Sequence, residues 1–190
     1  MKKMFKGLFI LVLMISLVGC GDKKEGDLKK NDDKSSSSSK VVEYDGFKKY
    51  EHSSFGFSYP EDWDAPEKLP DVGYDNVALI FPDGSTNINV IVEPLPKEYT
   101  LDAYYKASIT GLTSSLGVKE SDIKTTDKTF NGIKAKVLRY EYSGLMTIEQ
   151  IIFTPANKKA FVLTYTALKS NFEKDYDKVE KIYNSFAILG

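Results

Sequence analysis

The segment Asp122–Tyr142, which reads DIKTTDKTFNGIKAKVLRYEY, decides the fold of this chain. Asn131-Gly132 at its centre is the strongest short-range signal for a two-residue hairpin turn, because both residues tolerate the positive φ angles that such turns need. The strands Asp122–Phe130 and Ile133–Tyr142 are therefore predicted to pair in antiparallel fashion.

The apolar register of the second strand changes along its length. Ile133, Ala135 and Val137 alternate first, and an alternation shifted by one residue begins at Leu138. Such a change predicts either a β-bulge or a strand that is buried on both faces.

Further strands lie on both sides of this hairpin. Downstream, the pattern predicts a second hairpin, in which a turn at 155–159 connects two apolar strands. Upstream, short apolar or alternating runs are closed by Pro60, by a turn at Pro82–Ser85 and by Pro94. The predicted strands are Phe47–His52, Phe55–Tyr59, Val77–Phe81, Ile88–Val92, Thr147–Thr154 and Ala160–Ala167.

Two helices are predicted. Thr100 is an N-cap residue, and the apolar residues from Leu101 to Leu116 follow at helical spacing before Gly117. Ser170-Asn-Phe-Glu173 matches a capping box and predicts the start of a C-terminal helix with Phe172, Tyr176, Val179 and Tyr183 on its apolar face. Strands, a helix, strands and a helix in this order indicate an α+β domain with an antiparallel sheet covered by helices.

The first residues predict export and anchoring. Residues 1–19 have a basic head and an apolar stretch, Gly7–Val18, that is too short to span a bilayer, which is typical of a signal peptide. Leu17-Val-Gly-Cys20 resembles the lipobox of bacterial lipoproteins, in which the cysteine carries a diacylglycerol. The alternative is an ordinary signal peptide with an incidental cysteine. We expect a lipid on Cys20 to hold the protein at the extracytoplasmic face of the cell membrane.

The next segment, residues 20–42, is predicted to be a flexible tether. It is rich in Ser, Lys and Asp, lacks hydrophobic periodicity and contains five consecutive serines. About twenty such residues have a reach of roughly 25 Å. Residues 43–190 are then expected to form a single domain.

Composition excludes several functions. Removal of Lys2, Lys3 and Lys6 with the signal takes the formal net charge from -1 to -4, so nucleic acid is not expected as a partner. Cys20 and His52 are the only residues of their types, which excludes an intramolecular disulfide and a Cys/His zinc site. Arg139 is the only arginine, and we expect bidentate phosphate or carboxylate clamps to be nearly excluded.

Two sequence motifs resemble a known family. Phe55-Gly-Phe-Ser-Tyr-Pro60, followed by Trp63, is similar to the start of PsbP-like domains. Phe161-Val-Leu-Thr-Tyr-Thr-Ala167, followed by Phe172 and Ser185-Phe186, is similar to their end. The resemblance covers Tyr44–Gly190 and implies a central antiparallel sheet sandwiched by α-helices. The chain also resembles the lipoprotein branch of this family in Gram-positive bacteria.

The resemblance transfers no functional residue. Plant members of the family are accessory subunits of the oxygen-evolving photosystem, and other members bind ligands or have unknown roles. We therefore predict a non-catalytic accessory or binding domain, with no cofactor and with an envelope protein as partner. A small-ligand or solute-binding lipoprotein is the alternative, and an envelope hydrolase is less favoured because no nucleophile motif is present.

Three sets of residues are weaker candidates for a site. Trp63 is interpreted as a core residue, with a ligand-stacking rim as the alternative. Carboxylates in the loop 61–75 could hold calcium, although a solvated acidic loop is the simpler interpretation. His52 follows Glu51 and could act as a base, but it is expected to be an ordinary surface histidine.

Overall fold

The computed structural model describes residues 40–68, 75–80 and 86–189 of the chain. The predicted signal peptide, Cys20, most of the tether and the turn at 82–85 lie outside these residues. The strands are β1 Phe47–Glu51, β2 Phe55–Pro60, β3 Glu67–Lys68, β4 Asp75–Ile80, β5 Asn87–Pro94, β6 Lys124–Phe130, β7 Ile133–Tyr142, β8 Met146–Phe153, β9 Lys159–Leu168 and β10 Ala187–Ile188. The helices are α1 Leu101–Leu116 and α2 Tyr176–Ser185, with a short 3-10 turn at Glu120–Asp122.

The described strands form two antiparallel sheets. The larger has the order β3-β4-β5-β9-β8-β7-β6, and the smaller has the order β1-β2-β10. All the strands predicted from the sequence are present, and each begins and ends within two residues of its expected bounds. The short strands β3 and β10 were not predicted, because two residues give no periodicity.

The local signals of the first hairpin and of α1 are confirmed. Asn131 and Gly132 have φ angles of 47° and 79°, as a turn with two positive φ angles requires. The Thr100 hydroxyl accepts a hydrogen bond from the Ala103 amide at 3.2 Å, and Gly117 ends α1 with a φ of 67°.

The register change in β7 reflects burial on both faces. The strand pairs without interruption with β6 and β8, so no bulge is present. Val137 packs in the cluster beneath α2, and its neighbour Leu138 packs in the cluster beneath α1. Adjacent apolar residues on one strand are therefore explained by two separate cores.

The predicted start of the second helix is wrong. The Ser170 hydroxyl donates to the Asn171 side chain at 3.2 Å and caps no helix. Residues 169–175 form turns, and α2 begins at Tyr176. Glu173, the other half of the predicted capping box, lies 3.6 Å from the Arg139 guanidinium. Glu173 thus contacts Arg139, which is distant in the sequence, instead of forming a capping box with Ser170.

The expectation of helices on both sides of a central sheet is correct only in part. One face of the large sheet packs against α1, with Tyr104, Ile109 and Leu112 in the shared core. The other face packs against a layer made of both α2 and the small sheet, with Phe55, Phe57 and Phe186 in its core. The fold is therefore mostly sheet.

The chain enters the folded domain beside the β6–β7 turn. The Asn131 side-chain amide donates to the Lys40 carbonyl at 2.8 Å and to the Phe186 carbonyl at 3.0 Å. Val41 is buried, and the Val42 amide donates to the Ser185 carbonyl at 3.4 Å. One asparagine therefore joins the turn, the beginning of the domain and the residue after α2.

Replacement of Asn131 should destabilise the domain more than replacement of a comparable asparagine. Asn131→Ala removes two side-chain hydrogen bonds, each with a net contribution of about 1 kcal/mol, and it also strains a positive φ angle. Asn157→Ala is the matched control, because Asn157 has a φ of 50° and an exposed side chain. Urea unfolding should show an additional loss of about 1–3 kcal/mol for Asn131→Ala. Equal losses would show that the two bonds do not stabilise the fold.

Candidate functional site

An ion pair with a buried carboxylate lies on the face of the large sheet that α2 covers. Arg139 of β7 and Glu149 of β8 are directly opposite each other in the strand pairing. The Arg139 Nε and Nη2 atoms lie 2.8 and 2.7 Å from Glu149 Oε2. The Glu149 side chain is 2% exposed and that of Arg139 is 36% exposed. The pair is thus open to solvent only on the arginine side.

Tyr176, the first residue of α2, completes this cluster. Its hydroxyl donates to Glu149 Oε1 at 2.8 Å and accepts from Arg139 Nη2 at 2.9 Å. Both oxygens of the carboxylate are therefore occupied. The guanidinium also lies over two rings, at 4.7 Å from the centre of Phe172 and 5.1 Å from that of Tyr176. These contacts attach the residues before α2, and its first turn, to the sheet.

The electrostatics of the cluster favour a charged Arg139 and neutral tyrosines. Burial lowers the pKa of the Arg139 guanidinium, but the adjacent Glu149 carboxylate more than offsets this and raises it. Burial and the Glu149 charge both raise the pKa of Tyr176 above its ordinary value. Burial and the same charge raise the pKa of Tyr183, although its hydroxyl falls short of hydrogen-bond geometry. Both tyrosines thus stay neutral, and Tyr176 acts as a hydrogen-bond donor to Glu149.

A substrate would have to displace Tyr176 to reach Glu149. The carboxylate accepts hydrogen bonds from Arg139 and Tyr176 and lies beneath α2, so the geometry is that of a structural ion pair. Arg139 contacts a carboxylate from within the domain, with Nε and Nη2 both on the single oxygen Oε2. The expectation that bidentate clamps for a ligand are nearly excluded stays a prediction. A signal for this pair exists in the sequence, since Glu149 occupies an inward position of a strand that continues with Ile151 and Phe153.

A second polar region is a groove near the start of α1. It has a volume of about 600 Å³ and is lined by residues from α1, β6 and β7 and by Thr154. Lys136 lies within it, 3.2 Å from Asp102 and 2.6 Å from Asp127. Lys128 and Lys134 also line the groove. Three lysines and two carboxylates line the groove. Both carboxylates contact Lys136 and neutralise its charge.

A third polar region is buried on the face of the sheet that α1 covers. Its members are neutral and lie side by side on β5, β9 and β8: Asn87, Asn89, Thr164, Thr166 and Gln150. The Gln150 amide donates to the Thr164 hydroxyl at 3.4 Å. The Asn89 Nδ2 and Thr166 Oγ1 atoms are buried and have no hydrogen-bond partner among the described residues. Unpaired buried groups of this kind are energetically unfavourable and need an explanation.

The residues proposed from the sequence are not brought together. Trp63 is 6% exposed and belongs to the core beneath α2, which agrees with the core interpretation. Its role as a ligand rim stays a prediction. His52 stacks on Phe55 with ring centres 5.1 Å apart. Asp71 and Gly73 of the acidic loop, like Cys20, lie outside the described residues.

Within the described ranges, no group of three or more His, Cys, Asp or Glu side chains could hold a metal ion. None of the helices in this part of the chain has the length and apolar character needed to cross a membrane.

Comparison with solved structures identifies the class of fold. The chain is similar to cyanobacterial PsbP (CyanoP) from Synechocystis sp. PCC 6803, with a TM-score of 0.57, 14% identity and coverage of 78% of this chain and 95% of that one. It shows a weaker likeness to LpqN, involved in cell envelope biogenesis of Mycobacterium tuberculosis, with a TM-score of 0.36, 15% identity and coverage of 70% and 81%. No curated protein matches the chain significantly.

The family follows from the sequence profile. The PsbP family model matches residues 45–188, which include every described strand and helix. This chain belongs to the PsbP family. The resemblance inferred from Phe55–Pro60 and Phe161–Ala167 is thereby confirmed.

Loss of the Glu149 charge should destabilise the fold. Glu149→Gln keeps the shape of the side chain but leaves the partly buried Arg139 guanidinium with only the exposed Glu173 carboxylate as counter-ion, at an expected cost of about 2–4 kcal/mol. Glu141→Gln is the control, because Glu141 and Lys169 are 2.6 Å apart but have side chains 53% and 59% exposed. That change should cost less than about 1 kcal/mol. Equal losses in urea unfolding would contradict a stabilising role for the buried pair.

Glu93 should make stability depend on pH. Burial raises the pKa of this carboxyl above its ordinary value of 4.5, and the 2.6 Å hydrogen bond from the Tyr104 hydroxyl opposes the rise only partly. The folded state then binds the proton more tightly than the unfolded state, so this contribution to stability is lost as pH rises from 4.5 through the folded pKa.

Glu93→Gln should remove this dependence. The stability of Glu93→Gln minus that of the unmodified protein should be larger at pH 7 than at pH 4. Thermal unfolding of both proteins across the pH range provides the measurement. Glu98→Gln, at an exposed position on the following loop, should show no such trend. A flat difference for both variants would contradict the assignment to Glu93.

Proposed function

We propose that this protein is a lipid-anchored extracytoplasmic member of the PsbP family whose domain is a non-catalytic accessory or binding module. Cys20 carries the lipid, residues 20–42 form the tether, and an envelope protein is the partner of the domain. The lipobox-like sequence Leu17-Val-Gly-Cys20 supports the anchor. Two acyl chains give stable anchoring, whereas a single chain gives only marginal binding.

The observation that carries the non-catalytic part of the proposal is the saturation of the buried ion pair. Glu149 is the kind of buried carboxylate that often serves as an acid or base, but Arg139 and Tyr176 occupy both of its oxygens. The only arginine of the chain is used in the same cluster. The buried carboxylate and the arginine of this cluster therefore stabilise the packing of the domain, which favours a role exercised through the surface.

A solute-binding lipoprotein is the second candidate. The unpartnered Asn89 Nδ2 and Thr166 Oγ1 atoms favour it, because a small polar ligand beneath α1 would satisfy both. A buried water would satisfy them equally well. The buried polar region beneath α1 is therefore where such a ligand would be sought, but the accessory function needs no such ligand.

Replacement of Cys20 tests the anchor. Cys20→Ala should leave the protein unprocessed or release it from membranes, because no thiol remains to accept the lipid. Ser35→Ala, in the serine run of the tether, is the control and should behave like the unmodified protein. Membrane fractionation together with the mass of the N-terminal peptide provides the measurement. A Cys20→Ala protein that is matured and retained normally would refute the lipid anchor.

A further inference from the structure

The tether reaches the domain at a defined end of the large sheet. Lys40 is bound to Asn131 in the β6–β7 turn. The β8–β9 turn lies at the same end, because the Thr154 amide donates to the Lys134 carbonyl at 2.9 Å. The loop before α1 joins them there, since the Leu95 amide donates to the Lys158 carbonyl at 2.7 Å. We call this part of the molecule the tether end.

The tether end presents a group of exposed lysines although the mature chain as a whole is acidic. These lysines come from the chain entry, the loop before α1, the two strands of the first hairpin and the β8–β9 turn: Lys40, Lys97, Lys128, Lys134 and Lys158. The carboxylates nearby are partly neutralised, since Asp102 and Asp127 both contact Lys136. Glu98 is exposed, and Glu180 lies 4.0 Å from Lys128.

The opposite end of the sheet has a different composition. It lies roughly 30 Å away, the length of the ten residues of β7. Its exposed lysines, Lys119, Lys124 and Lys169, are accompanied by the exposed carboxylates Glu120, Asp122 and Glu141, and Lys169 is paired with Glu141 at 2.6 Å. We call this part the far end.

We infer that the tether end lies against the anionic phospholipid headgroups of the membrane that holds the anchor. The inference depends on the proposed lipid at Cys20, and it adds an orientation to that function. A tether of about twenty residues does not by itself fix the domain. Lysines within a Debye length of an anionic surface, about 8 Å at physiological ionic strength, are attracted to it. The position at which the tether enters the domain and the positive charge of the tether end thus favour the same orientation, with the tether end toward the membrane.

One consequence is that the far end faces away from the membrane. Leu145, in the β7–β8 turn, is 67% exposed and is the only large hydrophobic residue of the described ranges with this degree of exposure. This end of the domain is then the part most accessible to an envelope partner.

Lysine footprinting of the anchored full-length protein tests the orientation. The purified lipidated protein is placed in vesicles of phosphatidylcholine alone or of phosphatidylcholine with phosphatidylglycerol, and is modified with an amine-reactive ester. On anionic vesicles, Lys128, Lys134 and Lys158 should react about two-fold or more slowly than on neutral vesicles. Lys119, Lys124 and Lys169 should react equally on both. High salt should abolish the difference.

Charge reversal provides a second arm. Lys134→Glu with Lys158→Glu should remove the difference at Lys128, whereas the matched variant Lys119→Glu with Lys124→Glu should preserve it. Unchanged reactivity at the tether end, or protection of the far end instead, would overturn the orientation. The mass of the N-terminal peptide from the same samples reports the lipid on Cys20, so a missing anchor is distinguished from a wrongly assigned orientation.

Discussion

The central constraint on this fold is that the large sheet carries apolar residues of a core on each of its two faces. Val137 and Leu138 are neighbours on β7 and belong to two different cores. Exposure of either face to solvent would be unfavourable, so other elements of the chain must pack against both faces. Helix α1 covers one face, and α2 together with the sheet of β1, β2 and β10 covers the other. The order of the elements along the chain follows from this requirement.

The layer formed by α2 and the small sheet is attached to the large sheet by polar as well as apolar contacts. Arg139 and Glu149 project from the sheet and meet Tyr176 at the start of α2, so a buried charge pair fixes where this helix begins. Such pairs contribute less to net stability than to the uniqueness of the packing, since an apolar replacement often stabilises as well. For the accessory role proposed above, a well-defined shape would itself be the functional requirement.

Local signals in the sequence predicted much of the fold. The hairpin at Asn131-Gly132 and the cap at Thr100 depend on neighbouring residues, and both formed as expected. The start of α2 was wrong because the Arg139–Glu149 pair, distant in sequence, overrides the local capping pattern at Ser170. The small sheet's third strand is too short to predict. The buried polar region was missed, because the pairing of β5 with β9 places Asn87 opposite Thr166 and Asn89 opposite Thr164, and these residues are far apart in the sequence. The family was predictable because its motifs occur near both ends of the domain.

The most direct test of the account is the distance of each end of the domain from the membrane. Cys20 is the only natural cysteine and is modified by lipid in this account, so a new cysteine can be spin-labelled selectively. A label at Asn157→Cys marks the tether end, and one at Leu145→Cys marks the far end. With a paramagnetic metal chelated to the headgroups of anionic vesicles, relaxation should be faster at position 157 than at position 145. Equal relaxation at the two positions, or faster relaxation at 145, would contradict the account.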